Sequence, residues 1–183
     1  MERVGSRVTL PPAGRGEDGL EGVTSWDDAD DAEETLKRFI AISTGGREPD
    51  EYLPVVVHLV HRPDNDYNPN AISVLMPEHF GGDIRARHMG FLRDGFLKRV
   101  GMSRLADLSA EHGEIVCTGM ISYGPSLALA LPDGHVLGRA INEFLDELVL
   151  QRQLISPVVA HRGADSGSRG PVAGVRVAMS TNA

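Results

Sequence analysis

The sequence predicts a mainly β fold with a few helices, an α+β protein on an antiparallel core. Three observations predict it. Two β-branched runs, residues 54–61 and 71–76, flank a loop dense in turn formers, the pattern of an antiparallel pair. Two further apolar runs, 115–122 and 127–131, are separated by Gly124-Pro125 and closed by Pro132-Asp133-Gly134. Helical spacing supports two helices. One is Phe96, Leu97, Val100 and Leu105; the other is Ile141, Phe144, Leu145 and Leu148, at i, i+3, i+4 and i+7.

Taken in order, residues 1–25 mix Gly, Pro and scattered charges without periodicity and are expected to be disordered. Asp27, Asp28, Asp30, Asp31, Glu33 and Glu34 then lead into Leu36, Phe39 and Ile40. Acids at a helix start are favoured by the macrodipole, so this block either opens a short helix or stays a solvated acidic tail. Phe39-Ile40-Ala41-Ile42, ended by Thr44-Gly45-Gly46, reads as a first strand. The runs at 54–61 and 71–76 are the second and third strands. Residues 77–87 read as a loop and 88–92 as a short fourth strand. A helix follows, with Lys98 and Arg99 opposite its apolar face. The closing strands are 115–122 and 127–131, and a last helix lies near 138–152. Beyond Ser156 the chain is rich in Gly, Ser and Ala and is expected to be flexible. The expected organisation is an acidic leader (1–35), a folded core (36–152) and a tail (153–183).

The net charge of −8 is unevenly spread. Residues 1–35 carry net −7, residues 36–152 net −3 and residues 153–183 net +2. Residues 85–104 carry Arg85, Arg87, Arg93, Lys98, Arg99 and Arg104 against Asp94, a net of +5. Such a patch either tracks a phosphate backbone or is a solvated helix face. An acidic leader folded over it would compete with nucleic acid, and deleting residues 1–34 would then tighten binding. The single cysteine, Cys117, allows no internal disulfide and sits in an apolar run, as a buried thiol does. No apolar run approaches the roughly 18 residues that span a bilayer, and no signal-peptide core opens the chain. A soluble, cytoplasmic protein with no membrane partner is expected. His58 and His61 lie three apart on a strand, on opposite faces. No His spacing suits zinc, so neither metal nor cofactor is expected. Phosphate-loop and nucleophile-elbow motifs are absent. Asp64 and Asp66 form a close acid pair of the kind a metal-dependent nuclease would use, but Asp in a turn-rich loop commonly bonds its own backbone.

The stretch Leu59-Val60-His61-Arg62-Pro63-Asp64-Asn65-Asp66-Tyr67-Asn68-Pro69-Asn70-Ala71-Ile72-Ser73-Val74 resembles the hallmark of the HIRAN domain family. In that family an apolar strand runs into a Pro-x-Asn-x-Tyr-Asp-x-Asn-Ala-Ile loop and a second strand. Met89-Gly90-Phe91-Leu92 is similar to its second hallmark. The resemblance runs from Arg38 to about Ala130. It implies a small six-stranded OB-like barrel with one or two packed helices. It also implies a module that holds the 3′-hydroxyl end of single-stranded DNA, in repair or replication. Asn65 and Tyr67 match the loop's Asn and aromatic. Asn68 stands where the family has Asp, and an amide oxygen is a weaker acceptor than a carboxylate. The segment Ala41-Ile42-Ser43-Thr44-Gly45 lacks the basic residue and tyrosine of the DNA-binding relatives, and Asp94 lies near the place of their Lys.

The candidate DNA-binding residues are therefore Asn65, Tyr67, Asn68, Phe91, Arg87, His88, Arg93 and Lys98. Loop polar groups would hold a sugar hydroxyl. Tyr67 and Phe91 would stack on bases. Arg87, Arg93 and Lys98 would neutralise phosphates, and His88 lies close by. Equally, Asn68 and Asn70 can fix the loop through their own backbone bonds while Tyr67 packs on the barrel rim. The other expected partner is a protein, docked through the acidic leader or the last helix on a barrel that has lost DNA binding. Catalysis is not expected.

Overall fold

The computed structural model describes residues 1–4, 7–13, 20–24, 29–45, 52–80, 83–122 and 124–155. The chain forms two compact units, Met1–Leu148 and Val149–Ala183. The first contains strands β1 (Glu2–Val4), β2 (Arg7–Thr9), β3 (Leu20–Thr24), β4 (Leu53–His61), β5 (Ile72–Phe80), β6 (Asp83–Leu92), β7 (Glu114–Ser122) and β8 (Ser126–Ala130). It also holds helices α1 (Ala29–Thr44), α2 (Asp94–Val100), α3 (Arg104–His112) and most of α4 (Gly134–Ile155). Of the second unit the described part is residues 149–155, the end of α4; the expected flexible tail lies outside the described residues.

Six strands close a ring in the order β7, β4, β5, β6, β3, β8 and back to β7, each pairing antiparallel. Alternation builds its core. Val55, Val57 and Leu59 of β4 are buried with Ile72, Val74 and Met76 of β5 and Ile115, Cys117 and Ile121 of β7. Val56 and Val60, on the alternate positions of β4, are exposed, as the two-residue period demands. Gly119 faces Val55 across the ladder. A Cβ there would lie 2.9 Å from methyls of Val57 and Leu127, so the barrel closes over a missing side chain. The mainly β barrel expected from the sequence is the observed one.

The leader differs from its expectation. Residues 20–24 are not disordered: β3 is a barrel strand, bridging β6 and β8. Composition alone points to disorder, but two waiting strand edges satisfy the backbone that a Gly-rich segment cannot satisfy locally. β1 and β2 form a hairpin whose second strand runs parallel to β7. β2 and β8 share one edge of β7, along its first and second halves. Glu114 fastens this junction, bonding Arg7 Nε at 2.8 Å and His58 Nδ1 at 2.7 Å. The Arg7 guanidinium holds its carboxyl below the usual range.

The expected first strand, Phe39–Ile42, is instead the end of α1. Lys37 pairs with Glu33 and Arg38 with Glu34, one turn apart, carrying the helix through the apolar run. Residues 77–87, expected as a loop, extend the β5–β6 hairpin, with Pro77 opposite Ala86. The β4–β5 rungs end at Leu75. Pro77 therefore lies where β5 has one unpaired edge among the described residues, which tolerates a residue without an N–H. The single helix suggested by Phe96 to Leu105 is two, α2 and α3, broken at Gly101 with φ +104°. No helix among the described residues is long and apolar enough to cross a membrane.

Cys117 is buried, and burial pushes its thiol up to about 12. Only the thiolate is nucleophilic. Alkylation by iodoacetamide at mildly alkaline pH is expected to proceed no faster than global unfolding, followed by mass spectrometry. Modification at the rate of an exposed thiol would contradict this packing.

Candidate functional site

The loop between β4 and β5 is braced by its own amides. Asn65 Oδ1 accepts the backbone N–H groups of Tyr67 and Asn68, each at 3.0 Å. Asn68 Oδ1 accepts the N–H of Asn70 at 2.9 Å. The base of the loop is tied by Arg62 N–H to Ala71 O at 2.9 Å and by His61 Nε2 against Pro69 O at 2.7 Å. Arg62 grips Asp64 with two bonds of 3.1 Å and holds that carboxyl below its usual range. These Asn side chains thus hold one loop shape, and Tyr67 is left 82% exposed on it. The sequence assigned loop fixing to Asn68 and Asn70; Asn65 and Asn68 carry it.

Asn68 does a second job. Its Nδ2 donates to Asp94 Oδ1 at 2.9 Å. Asp94 opens α2, so this bond joins the loop to the helix and sets a carboxylate beside Asn68. Asp94 appears in the sequence only as a departure from the HIRAN pattern; nothing in sequence spacing pairs residues 26 apart. Lys98 lies one turn along α2, at i+4 from Asp94, on the same helix face.

The rings are aimed by a β-bulge. The β5–β6 register runs Val74 to Gly90 and then Leu75 to His88, leaving Met89 without a partner. Residues three apart on a regular strand face opposite sides. One inserted residue brings His88 and Phe91 to the same side, where their rings meet edge-on with centroids 4.8 Å apart. Met89 is buried in the core. Gly90, at φ +133°, supplies the backbone conformation that the bulge needs.

Across the outer face, Val60, Ser73 and Phe91 form one row and His58, Leu75 and His88 the next. No Asp, Glu, Lys or Arg stands in either row. Val56 and Val60 are 54% and 36% exposed. Ser73 is fully buried in its row, and its hydroxyl has no hydrogen-bond partner among the described residues. Burying an unpaired hydroxyl costs about 1–3 kcal/mol. Ser73→Ala is therefore expected to raise stability by about 1 kcal/mol in urea unfolding. A loss of stability would mean that the hydroxyl has a bond in solution.

The basic stretch is less free than its charge count suggests. Arg99 bonds Glu21 at 3.2 Å, lies 3.8 Å from Asp133 and sits 5.6 Å over the Phe96 ring. Arg104 pairs with Asp107 at 4.0 Å. Arg93 and Lys98 are exposed and make no ion pair among the described residues. Arg93 also crosses Gly22, where a Cβ would lie 2.8 Å from Nη2. Arg87 is exposed. The side chain of Arg85 lies outside the described residues. The leader does reach the patch, through Glu21, but from a barrel strand. Deleting residues 1–34 would remove β3, so competition is testable only by point substitution.

The structure thus brings Asn65, Tyr67 and Asn68 together in one loop and His88 and Phe91 together on one face, with Arg93 just before α2 and Lys98 in its last turn. No cluster of three His, Cys, Asp or Glu among the described residues suits a metal ion. No family model matches the chain, and no curated protein or solved structure matches it either.

Proposed function

We propose that this chain is a HIRAN-type binding module for single-stranded DNA that receives a strand end with a free 3′-hydroxyl, in repair or replication in the cytoplasm. One observation carries the reading. The Met89 bulge aligns His88 and Phe91 on an outer face of β4, β5 and β6 whose two rows hold no Asp, Glu, Lys or Arg, beside a braced loop that exposes Tyr67. Aromatic groups on the sheet face of an OB-like barrel stack on bases without reading their sequence. The Asn68–Asp94 pair adds a carboxylate at the loop, which suits a hydroxyl and repels a terminal phosphate. The resemblance of residues 59–74 to the HIRAN loop points the same way.

The test is fluorescence anisotropy with a labelled ten-nucleotide strand ending in 3′-hydroxyl or 3′-phosphate, across a salt series. The hydroxyl end is expected to bind more tightly. If Arg93 and Lys98, two exposed cations that make no ion pair among the described residues, are the ones that meet phosphates, the slope of log affinity against log salt is expected near about −1.4. A slope several times steeper would mean that binding runs along a basic surface instead. A second reading rests on the exposure of Val56 and Val60: the same face docks a protein partner and the chain is an adaptor. No strand binding at low salt would favour it.

A further inference from the structure

A cavity of about 230 Å³ lies between α1 and the barrel wall, away from the outer face just described. Val23, Ala32, Leu36, Met89, Pro125 and Leu127 form its apolar lining. Ala32 stands one turn before Leu36 on the same face of α1, and its short side chain leaves the room that a larger residue would fill. The pocket is half open to solvent and mixes polar with apolar lining, and its volume suits a molecule of one or two rings. Met89 favours an aromatic occupant, because a thioether sulfur makes good contacts with ring edges.

Two polar side chains complete the lining. Glu33 contributes a carboxylate whose charge is balanced by Lys37 at 2.5 Å. Ser126 contributes a hydroxyl that already bonds Ser122 at 2.7 Å. A carboxylate accepts and never donates when ionised, so it selects a ligand with an N–H or O–H over one that has no donor, such as benzoate. Because Lys37 neutralises it, the ligand itself need carry no charge. We propose that this cavity binds a small, uncharged aromatic molecule bearing one hydrogen-bond donor, with indole as its size and type.

The test is a titration of the ¹⁵N-labelled full chain with indole, followed by amide shifts, with benzoate as the anionic control of similar size. Saturable shifts are expected at Val23, Ala32, Leu36, Met89 and Leu127, and none that saturate with benzoate. Ala32→Leu fills the space from a helix position where leucine is well tolerated, and is expected to weaken indole at least tenfold while keeping the unfolding temperature. Shifts that do not saturate, equal binding of benzoate, or unchanged indole affinity in a folded Ala32→Leu chain would each overturn the proposal. The benzoate comparison uses the unmodified chain, so the outcome does not depend on the variant folding.

Discussion

Replacing Gly138 with alanine is expected to destabilise the first unit by about 1–3 kcal/mol, against the usual direction for a glycine inside a helix. Helix propensity alone would favour alanine by up to about 1 kcal/mol. Packing decides the sign. A Cβ at Gly138 would lie 2.2 Å from the carbonyl oxygen of Val100 and 3.0 Å from its carbon. That contact is backbone, so no rotamer change can relieve it. Gly134, four residues earlier on the same face, meets Arg99 Cβ at 2.5 Å in the same way. The start of α4 therefore rests directly on the C-terminal end of α2. To admit a methyl, α4 must back away by about an ångström, and a gap of that size forfeits a quarter to a half of each dispersion contact. Leu137 and Ile141, both fully buried on this helix, would lose most. Overpacking of a filled site costs about 1–3 kcal/mol, occasionally more. For a domain of this size that lowers Tm by roughly 2–4 °C per kcal/mol. Gly95→Ala is the matched control. It sits exposed in α2 with only Arg99 Nη1 nearby, at 3.9 Å, and is expected to gain stability by about 0.5–1 kcal/mol. Thermal and urea unfolding of the two variants read both signs. A Gly138→Ala chain as stable as the parent would mean that the α2–α4 contact is looser than described.

Much of the barrel is legible in local pattern. β4, β7 and β8 carry their own alternation, and the turn formers between residues 62 and 70 announce the hairpin. What escapes is set by pairing rather than by pattern. Nothing in Leu20-Glu21-Gly22-Val23-Thr24 marks a strand, because its stability comes from β6 and β8, found 59 or more residues later in the chain. Phe39-Ile40-Ala41-Ile42 is too short a run to separate strand from helix, and the ion pairs that decide it lie one turn upstream. The site divides in the same way. The Asn-Tyr-Asn loop is visible as composition, and its internal bonds follow from Asx chemistry. The Asn68–Asp94 bond and the Arg99–Glu21 pair are long-range and have no local signal. The alignment of His88 with Phe91 depends on one inserted residue; Gly90 hints at a bulge, but only the register with β5 places it.

The binding reading makes its sharpest demand on Tyr67 and Phe91. Base–aromatic stacking is worth about 1–3 kcal/mol per base, so each ring lost should weaken a ten-nucleotide strand by roughly 5- to 150-fold. Tyr67 gives the cleaner test. It is 82% exposed on a loop whose shape is held by Asn65 and Asn68, so Tyr67→Ala is expected to leave the unfolding midpoint unchanged while affinity falls. Phe91 is half-buried beside His88, so Phe91→Leu is the better variant, keeping apolar volume while removing the ring face. Asn68→Ala separates recognition from bracing. It frees the Asn70 N–H and breaks the bond to Asp94 at once. Preference for the hydroxyl end over the phosphate end is then expected to shrink, while the stacking share of the affinity remains. Glu21→Gln tests whether the leader competes: it removes one of the two carboxylates beside Arg99, Asp133 being the other, and the salt slope should steepen by no more than about 0.7. If Tyr67→Ala and Phe91→Leu bind as the parent does, the aromatic face is not where strands lie, and the exposed valines of β4 become the surface to probe with protein partners.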